Sequence, residues 1–288
     1  MKNKFYFITI LILVIFILNS CSRKGEIIPA ISLSKDVATM GSVLEAEYNF
    51  KVPPNAKIPE YDGIIFIHFI DPDNNIVFTD DHSPSTPTSQ WKPNENYSYK
   101  RFIFVPSDIL AGEYKIRLGI YDPSGKNERI PLNAKEIRDR SYELTKLTIK
   151  APLWDLAKFE EGWYETERSA EDPFIQWRWI QSKAIVYLLN PIKDTKLYLS
   201  LEADPEYAPD KKIEATIKIN DNEIDKILIE ENKKIDKIIP ISKDIAKTDK
   251  YMKCEINVSS TFVPNQVGFS NDNRELGIKV YHLVIEDW

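Results

Sequence analysis

Residues 212–220 read Lys-Ile-Glu-Ala-Thr-Ile-Lys-Ile-Asn, so Ile213, Ala215, Ile217 and Ile219 alternate with polar neighbours. A period of two puts the four apolar side chains on one face of an extended strand, which no helix can do. The same alternation runs over Val43 to Val52, with Leu44, Ala46, Tyr48 and Phe50 facing in and Glu45, Glu47 and Asn49 facing out. Ile64 to Ile70 is a continuous apolar run, as expected of a short strand covered on both faces. Strands are further predicted over 30–33, 75–79, 97–105, 113–121 and 144–149. Seven short strands separated by turn residues argue for an immunoglobulin-like sandwich over 28–150.

A second set follows Lys150-Ala-Pro152, over 174–180, 184–189, 196–203, 212–220, 224–229, 234–239, 252–259 and 276–285. About eight strands over 151–288 argue for a jelly-roll-like sandwich. Asn220-Asp-Asn-Glu223 has the residues of a hairpin turn, and helix is confined to a turn near Ser242 to Ala246. The expected fold class is therefore all-β, in two sandwiches.

Several function classes drop out. Glycine makes up only 9 of 288 residues, about 3% against a usual share near 7%. None has dinucleotide-fingerprint spacing, and no Gly-Lys-Ser/Thr phosphate loop occurs, so no nucleotide is expected. Three histidines and two cysteines, no two in one short segment, argue against a zinc site. Charges between Asp221 and Lys250 alternate in sign, which is a solvated surface and not a nucleic-acid patch. No cofactor and no metal are expected.

The start of the chain carries an address. Lys2 and Lys4 precede an apolar stretch from Phe5 to Leu18, the length of a signal-peptide core and short of the ~20 residues that span a bilayer. Leu18-Asn-Ser-Cys21 follows and resembles a bacterial lipobox, with Asn where Ala or Ser is commoner. The resemblance implies a signal peptide over 1–20, a diacylglycerol-modified Cys21 and a tether over 21–27. It also implies a chain anchored in the cell envelope, and Ser22 after the cysteine favours the outer membrane, facing the periplasm. Acyl chains gaining ~0.8 kcal/mol per buried methylene would make that anchoring durable. Cys254, on the apolar face of 252–258, reads as an inert core thiol.

Three groups of residues are candidates for function. Asp71-Pro-Asp-Asn-Asn75 is calcium-loop-like at its first positions, but Ile76 stands where Gly is needed and His82 where Glu is needed. A turn is the simpler reading. Asp80, Asp81 and His82 offer paired carboxylates and a base in a polar, Pro-rich stretch without a nucleophile motif, which supports a hydrolase only as a third reading. Trp154, Phe159, Trp163, Tyr164, Phe174, Trp177 and Trp179 crowd seven aromatics into 26 residues. They suit either core packing or a platform on which sugar rings stack. In the second case Trp163, Tyr164, Trp177 and Trp179 are the rings, and Glu167, Arg178 and Arg274 the hydrogen-bonding groups. Arg274, between Asp272 and Glu275, has an equally simple role in pinning a turn. His68 and His282, inside apolar strands, read as interior histidines.

Residues 64–131 resemble the extracytoplasmic β-sandwich attached to membrane glycosyltransferases of the dolichyl-phosphate-mannose mannosyltransferase type. The matching residues are Phe66-Ile-His68, Asp71-Pro-Asp73, Asp81-His-Ser-Pro84, Pro87-Thr88, Trp91-Lys-Pro93, Val105-Pro106, Gly112-Glu-Tyr114 and Gly119-Ile-Tyr-Asp-Pro123. Residues 162–285 are similar to a second accessory module of sugar-transfer and polysaccharide proteins. That likeness rests on Gly162-Trp-Tyr164 with Glu167, Trp177-Arg-Trp179, Phe262-Val-Pro264 and Asp272-Asn-Arg-Glu-Leu-Gly277. The resemblance implies accessory modules without catalysis. The expected role is binding or scaffolding in envelope glycan assembly, with membrane contact through Cys21 and a glycan or an envelope protein as partner. The alternative is a protein–protein adaptor with no glycan ligand.

Overall fold

The computed structural model describes residues 25–286. Cys21, the expected signal peptide over 1–20 and the first part of the tether lie outside the described residues.

Nine strands form the first sandwich: β1 (Ile28–Leu33), β2 (Val37–Thr39), β3 (Val43–Lys51), β4 (Ile64–Ile70), β5 (Ile76–Thr79), β6 (Asn96–Phe104), β7 (Gly112–Tyr121), β8 (Lys135–Arg138) and β9 (Ser141–Lys150). One sheet runs β1-β3-β6, and the other β2-β9-β7-β4-β5 with β8 against β9. The first segment of the chain joins both sheets, β1 antiparallel to β3 and then β2 parallel to β9. Two facing sheets of this make, antiparallel except for the β2–β9 pair, are the immunoglobulin-like sandwich expected from the strand pattern. Tyr48, Phe50, Ile65, Ile67, Phe69, Ile116 and Leu118 fill the space between them, and all are fully buried. Asp71-Pro-Asp-Asn-Asn75 is a hairpin turn: Asn74 takes the left-handed conformation and Asp71 accepts from the Asn75 N–H at 2.8 Å.

Ten strands form the second sandwich: β10 (Ala157–Phe159), β11 (Trp163–Arg168), β12 (Gln176–Ile180), β13 (Lys183–Leu189), β14 (Thr195–Glu202), β15 (Ile213–Ile219), β16 (Asn222–Ile229), β17 (Ile235–Ile241), β18 (Tyr251–Val258) and β19 (Lys279–Ile285). The sheets run β10-β13-β18-β15-β16 and β11-β12-β19-β14-β17. Strands β12 to β19 thus alternate between the two sheets except at the β15–β16 hairpin, in the interleaved order of a jelly roll, and β10 and β11 extend one edge of each. The apolar residues of 212–220 all point into the core, as their period requires. Asn220 and Asp221 both adopt positive φ, the conformation of a two-residue hairpin turn whose twist matches its strands. Cys254 is enclosed in the same core, and burial pushes its thiol up to about 12, so it stays protonated and inert. Helix α1 (Lys243–Ala246) is one turn, capped by the Ser242 hydroxyl accepting from the Ile245 N–H.

The count of strands exceeds the sequence expectation by four. β2, β8 and β10 are three or four residues long and too short to show a period. β11 alternates poorly because a bulge interrupts its register between Trp163 and Thr166. The last strand also begins at Lys279 and not at 276, since Leu276 pairs across the outer loop with Phe262 instead.

The sandwiches meet along a seam. Phe104 lies flat on His282, ring centroids 3.9 Å apart and planes at 4°, and Phe102 tilts against Tyr198 at 4.8 Å. Neither His68 nor His282 is a core residue. His82 is buried, whereas His68 and His282 stand on outer sheet faces, and the neighbouring sandwich encloses His282. That burial, with the Lys234 charge adding to it, holds the His282 imidazole down to about 3. It is therefore neutral near pH 7 and packs as a flat apolar disc. Between the sandwiches Leu153 is 92% and Trp154 57% exposed. Limited chymotrypsin digestion should therefore cut first after one of these two residues, the kind of exposed linker where domain boundaries fall. The two halves should stay together in gel filtration after cutting. In a Phe102→Ala/Phe104→Ala double variant they should separate. First cleavage inside β15 would contradict this two-part organisation.

Candidate functional site

The aromatic-rich segment folds as the β11–β12 hairpin. Its entry depends on Gly162, at φ +78°, where an added Cβ would lie 1.8 Å from the Lys183 carbonyl oxygen. The tip over 169–175 is tied by its own polar groups. Ser169 Oγ accepts from the Glu171 and Asp172 N–H groups, and Asp172 Oδ1 accepts from the Phe174 N–H at 2.9 Å.

The sheet divides the predicted site residues. Trp163 packs at the edge of the jelly-roll core, its indole N–H donating to the Ile185 carbonyl at 2.9 Å. Arg178 lies nearby, donating to the Tyr164 carbonyl at 2.9 Å with its guanidinium 4.6 Å from the Phe159 ring centre. Trp177 and Trp179 stand on the other face. Trp179 is 8% exposed and packs with Phe262 and Leu276, while Trp177 and Tyr164 are half-buried beside them. The Lys279 ammonium sits 5.4 and 5.3 Å from the Trp177 and Trp179 ring centres, and its charge is met by Glu202 at 2.7 Å. Arg274 bridges Asp272 and Glu167, each at 2.7 Å, and covers the Tyr164 ring at 5.0 Å. These two carboxylates push its pKa up. Arg274 thus pins the turn before β19 to β11, the structural role its flanking acids suggest. Glu167, Arg178 and Arg274 all spend hydrogen-bonding capacity on the protein.

The same hairpin builds a cleft at its tip. A cavity of about 500 Å³ opens between Arg168, Pro173, Phe174 and Gln176 of the second sandwich and two loops of the first. The opposite wall carries Asp71, Pro72 and Asp73 from the β4–β5 turn, then Pro106 and Asp108 to Ala111 from the β6–β7 connection, with Gly112 and Tyr114 at the start of β7. An ion pair between Arg168 and Asp108, 2.7 Å long and half-exposed, crosses the mouth. Phe174 is 39% exposed and lines the space. Among the described residues, none is hydrogen-bonded or ion-paired to the side chains of Asp73 and Gln176. Sequence reasoning named Phe174 among the crowded aromatics and treated Asp71 to Asp73 as a turn. It missed Asp108, Arg168 and Gln176, which become neighbours of that turn only when the sandwiches dock.

Asp80, Asp81 and His82 are adjacent in sequence but engage different partners. Asp80 accepts from Arg101 through two bonds of 3.1 and 2.7 Å and from the Tyr48 hydroxyl at 3.0 Å. His82 is buried, with Nδ1 2.6 Å from the Asp80 carbonyl and Nε2 2.8 Å from the Tyr99 hydroxyl. Asp81 accepts from the Ile67 N–H at 3.0 Å, and its Oδ1 is 3.8 Å from His68 Nε2. Asp80 and both ring nitrogens of His82 are thus engaged by groups of the protein itself. Among the described residues no cluster of His, Cys, Asp and Glu has the arrangement of a metal site.

No family model and no curated protein matches this chain. Among solved structures it is similar to a CARDB domain from Pyrococcus furiosus at 12% identity, covering 44% of this chain and 90% of that one, with a TM-score of 0.27. It is similar to the sporulation control protein Spo0M from Bacillus subtilis at 13% identity, covering 63% and 81%, with a TM-score of 0.29. It is also similar to the CBM51-2 and INT domains of ZmpB from Clostridium perfringens at 10% identity, covering 62% and 38%, with a TM-score of 0.26.

Asp81 and His68 set opposed pH dependences. Burial pushes the Asp81 carboxyl up to about 6, helped by the charges of Asp172 and Asp80 and resisted by the Ile67 N–H and Arg129. Burial, then Arg129 and Arg117, hold the His68 imidazole down to about 4. The raised carboxyl contributes stability that is present below about pH 4 and lost as pH rises through about 6. The depressed imidazole contributes stability that is present above about pH 6.5 and lost as pH falls through about 4. Asp81→Asn removes the first dependence and leaves the second. The variant should be at least as stable as the parent at pH 7, and should lose stability more steeply between pH 6.5 and 4 in urea titrations.

Proposed function

We propose that this chain is a non-catalytic envelope protein that binds glycan in the cleft between its two sandwiches. The observation that carries the reading is the cleft itself. It offers one exposed aromatic ring, Phe174, against which a pyranose C–H face can stack. It also offers a carboxylate and an amide, Asp73 and Gln176, that no protein group occupies. Concave sites at domain junctions with a few convergent polar groups are the usual form of a small-ligand site. The resemblance of both halves to accessory modules of sugar-transfer proteins agrees with this reading, as does the satisfied state of Asp80 and His82. No helix among the described residues is long and apolar enough to cross a membrane. Attachment is assigned to acylated Cys21, with the outer membrane as its site.

Phe174→Ala and Gln176→Ala should abolish or strongly reduce retention on a glycan array with little change in melting temperature, because both side chains border open space. Trp179→Ala is the contrasting case. It empties an enclosed site and should cost about 3–5 kcal/mol in denaturant unfolding. If the parent chain retains no glycan but captures an envelope protein, the adaptor reading replaces this one.

Anchoring has its own check. Cys21→Ala should shift the chain from the membrane to the soluble fraction, or leave it unprocessed at higher mass. A variant that fractionates and migrates like the parent would exclude lipid attachment.

A further inference from the structure

The cleft has a charge as well as a shape. Four ionisable acids and bases line it, Asp71, Asp73, Asp108 and Arg168. Asp108 and Arg168 neutralise each other at 2.7 Å, which leaves the carboxylates of Asp71 and Asp73 uncompensated on one wall. Asp71 keeps its charge under mildly acidic conditions, because the Asn75 N–H and side-chain amide donate to its two oxygens at 2.8 and 3.1 Å. Arg117 reaches the same turn from the sheet side through Asn74 Oδ1 at 2.6 Å, but it does not line the cleft and is itself 7% exposed. The remaining lining groups are apolar, aromatic or uncharged.

We propose that the cleft selects uncharged or amine-bearing sugars and rejects glycans carrying carboxylate or phosphate. The selection deepens the glycan reading above and rests on it. A uronate or phosphate seated against Phe174 shares the cleft with two like charges, Asp71 and Asp73. The one guanidinium that lines the cleft, that of Arg168, already has its charge met by Asp108. A protonated amine in the same place gains what the anion loses, and a neutral sugar donates its hydroxyls to Asp73 without either effect. Two like charges about 5 Å away in a water-filled cleft correspond to roughly a tenfold loss of affinity at low salt. Screening should shrink that factor as ionic strength rises.

The test uses the full chain and three oligosaccharides of equal length: a glucosamine oligomer, its N-acetylated form and a uronic-acid oligomer. Binding is measured by calorimetry at pH 6.5, in low salt and again in 0.5 M NaCl. The expected order is glucosamine, then N-acetylated, then uronate, with the uronate at least tenfold weaker than the N-acetylated form in low salt and the gap narrowed in high salt. Asp73→Asn, an exposed change that should keep the parent melting temperature, should narrow the same gap in low salt. Equal affinity for uronate and neutral oligomers overturns the charge selection and leaves the glycan site standing, as does a gap that Asp73→Asn leaves unchanged. Failure of all three oligomers to bind overturns the glycan site and the selection together.

Discussion

The flat stack of Phe104 on His282, with Phe102 against Tyr198 beside it, packs one sandwich against the other, and the cleft between the two halves depends on that docking. An aromatic pair of this geometry contributes ~0.5–1.5 kcal/mol beyond the area it buries. The neutral imidazole lets the stack form without burying a charge. Because the seam sits on β6 and β19, it also sets how far the β11–β12 hairpin lies from the β4–β5 turn. The cleft is the gap left between those loops. Its ion pair, Arg168 with Asp108, is half-exposed and adds little to stability by itself. It lies at the gap's mouth.

Inside the first sandwich the polar residues that invite a catalytic reading have internal partners. Asp80 is met by Arg101 and Tyr48, and His82 spans from the Asp80 carbonyl to Tyr99. A buried carboxylate needs such partners, since an unpaired one costs several kcal/mol. The cluster ties strands β3 and β6 to the segment after β5, so it specifies how the two sheets align. The same economy governs Arg274 in the second sandwich, where two carboxylates and one ring occupy a guanidinium that a sugar would otherwise find free. Groups with every hydrogen bond filled inside the protein serve the fold. Among the described residues that line the cleft, the side chains of Asp73 and Gln176 have no such bond.

Much of this architecture is local and therefore readable in advance. Alternation at 212–220 and 43–52 dictates strands because side chains on a pleated backbone must point to opposite faces, and only one face can be dry. Turn chemistry at Asn220-Asp221 and Asp71–Asn75 likewise follows from residues that tolerate positive φ or accept their own backbone's N–H groups. Even the division into an immunoglobulin-like half and a jelly-roll half follows from strand number and the Pro152 junction. The aromatic crowd was legible as a feature but not as a site. Whether Trp163, Trp177 and Trp179 point inward or outward depends on a bulge in β11 and on what covers the outer sheet face.

The cleft was decided only in three dimensions. Its walls come from residues 71–73, 106–114 and 168–176, each an ordinary turn or loop in sequence. No period or spacing links Asp73 to Gln176, because their proximity arises from two sandwiches packing at Phe104 and His282. The two histidines show the same limit. An apolar strand context made His68 and His282 look interior, yet both side chains leave their own core, and a second sandwich covers only one of them. Local pattern determines which face of a strand is apolar, since that is a property of the backbone's own geometry. What meets the other face is a property of long-range docking, and in this protein that docking makes the site.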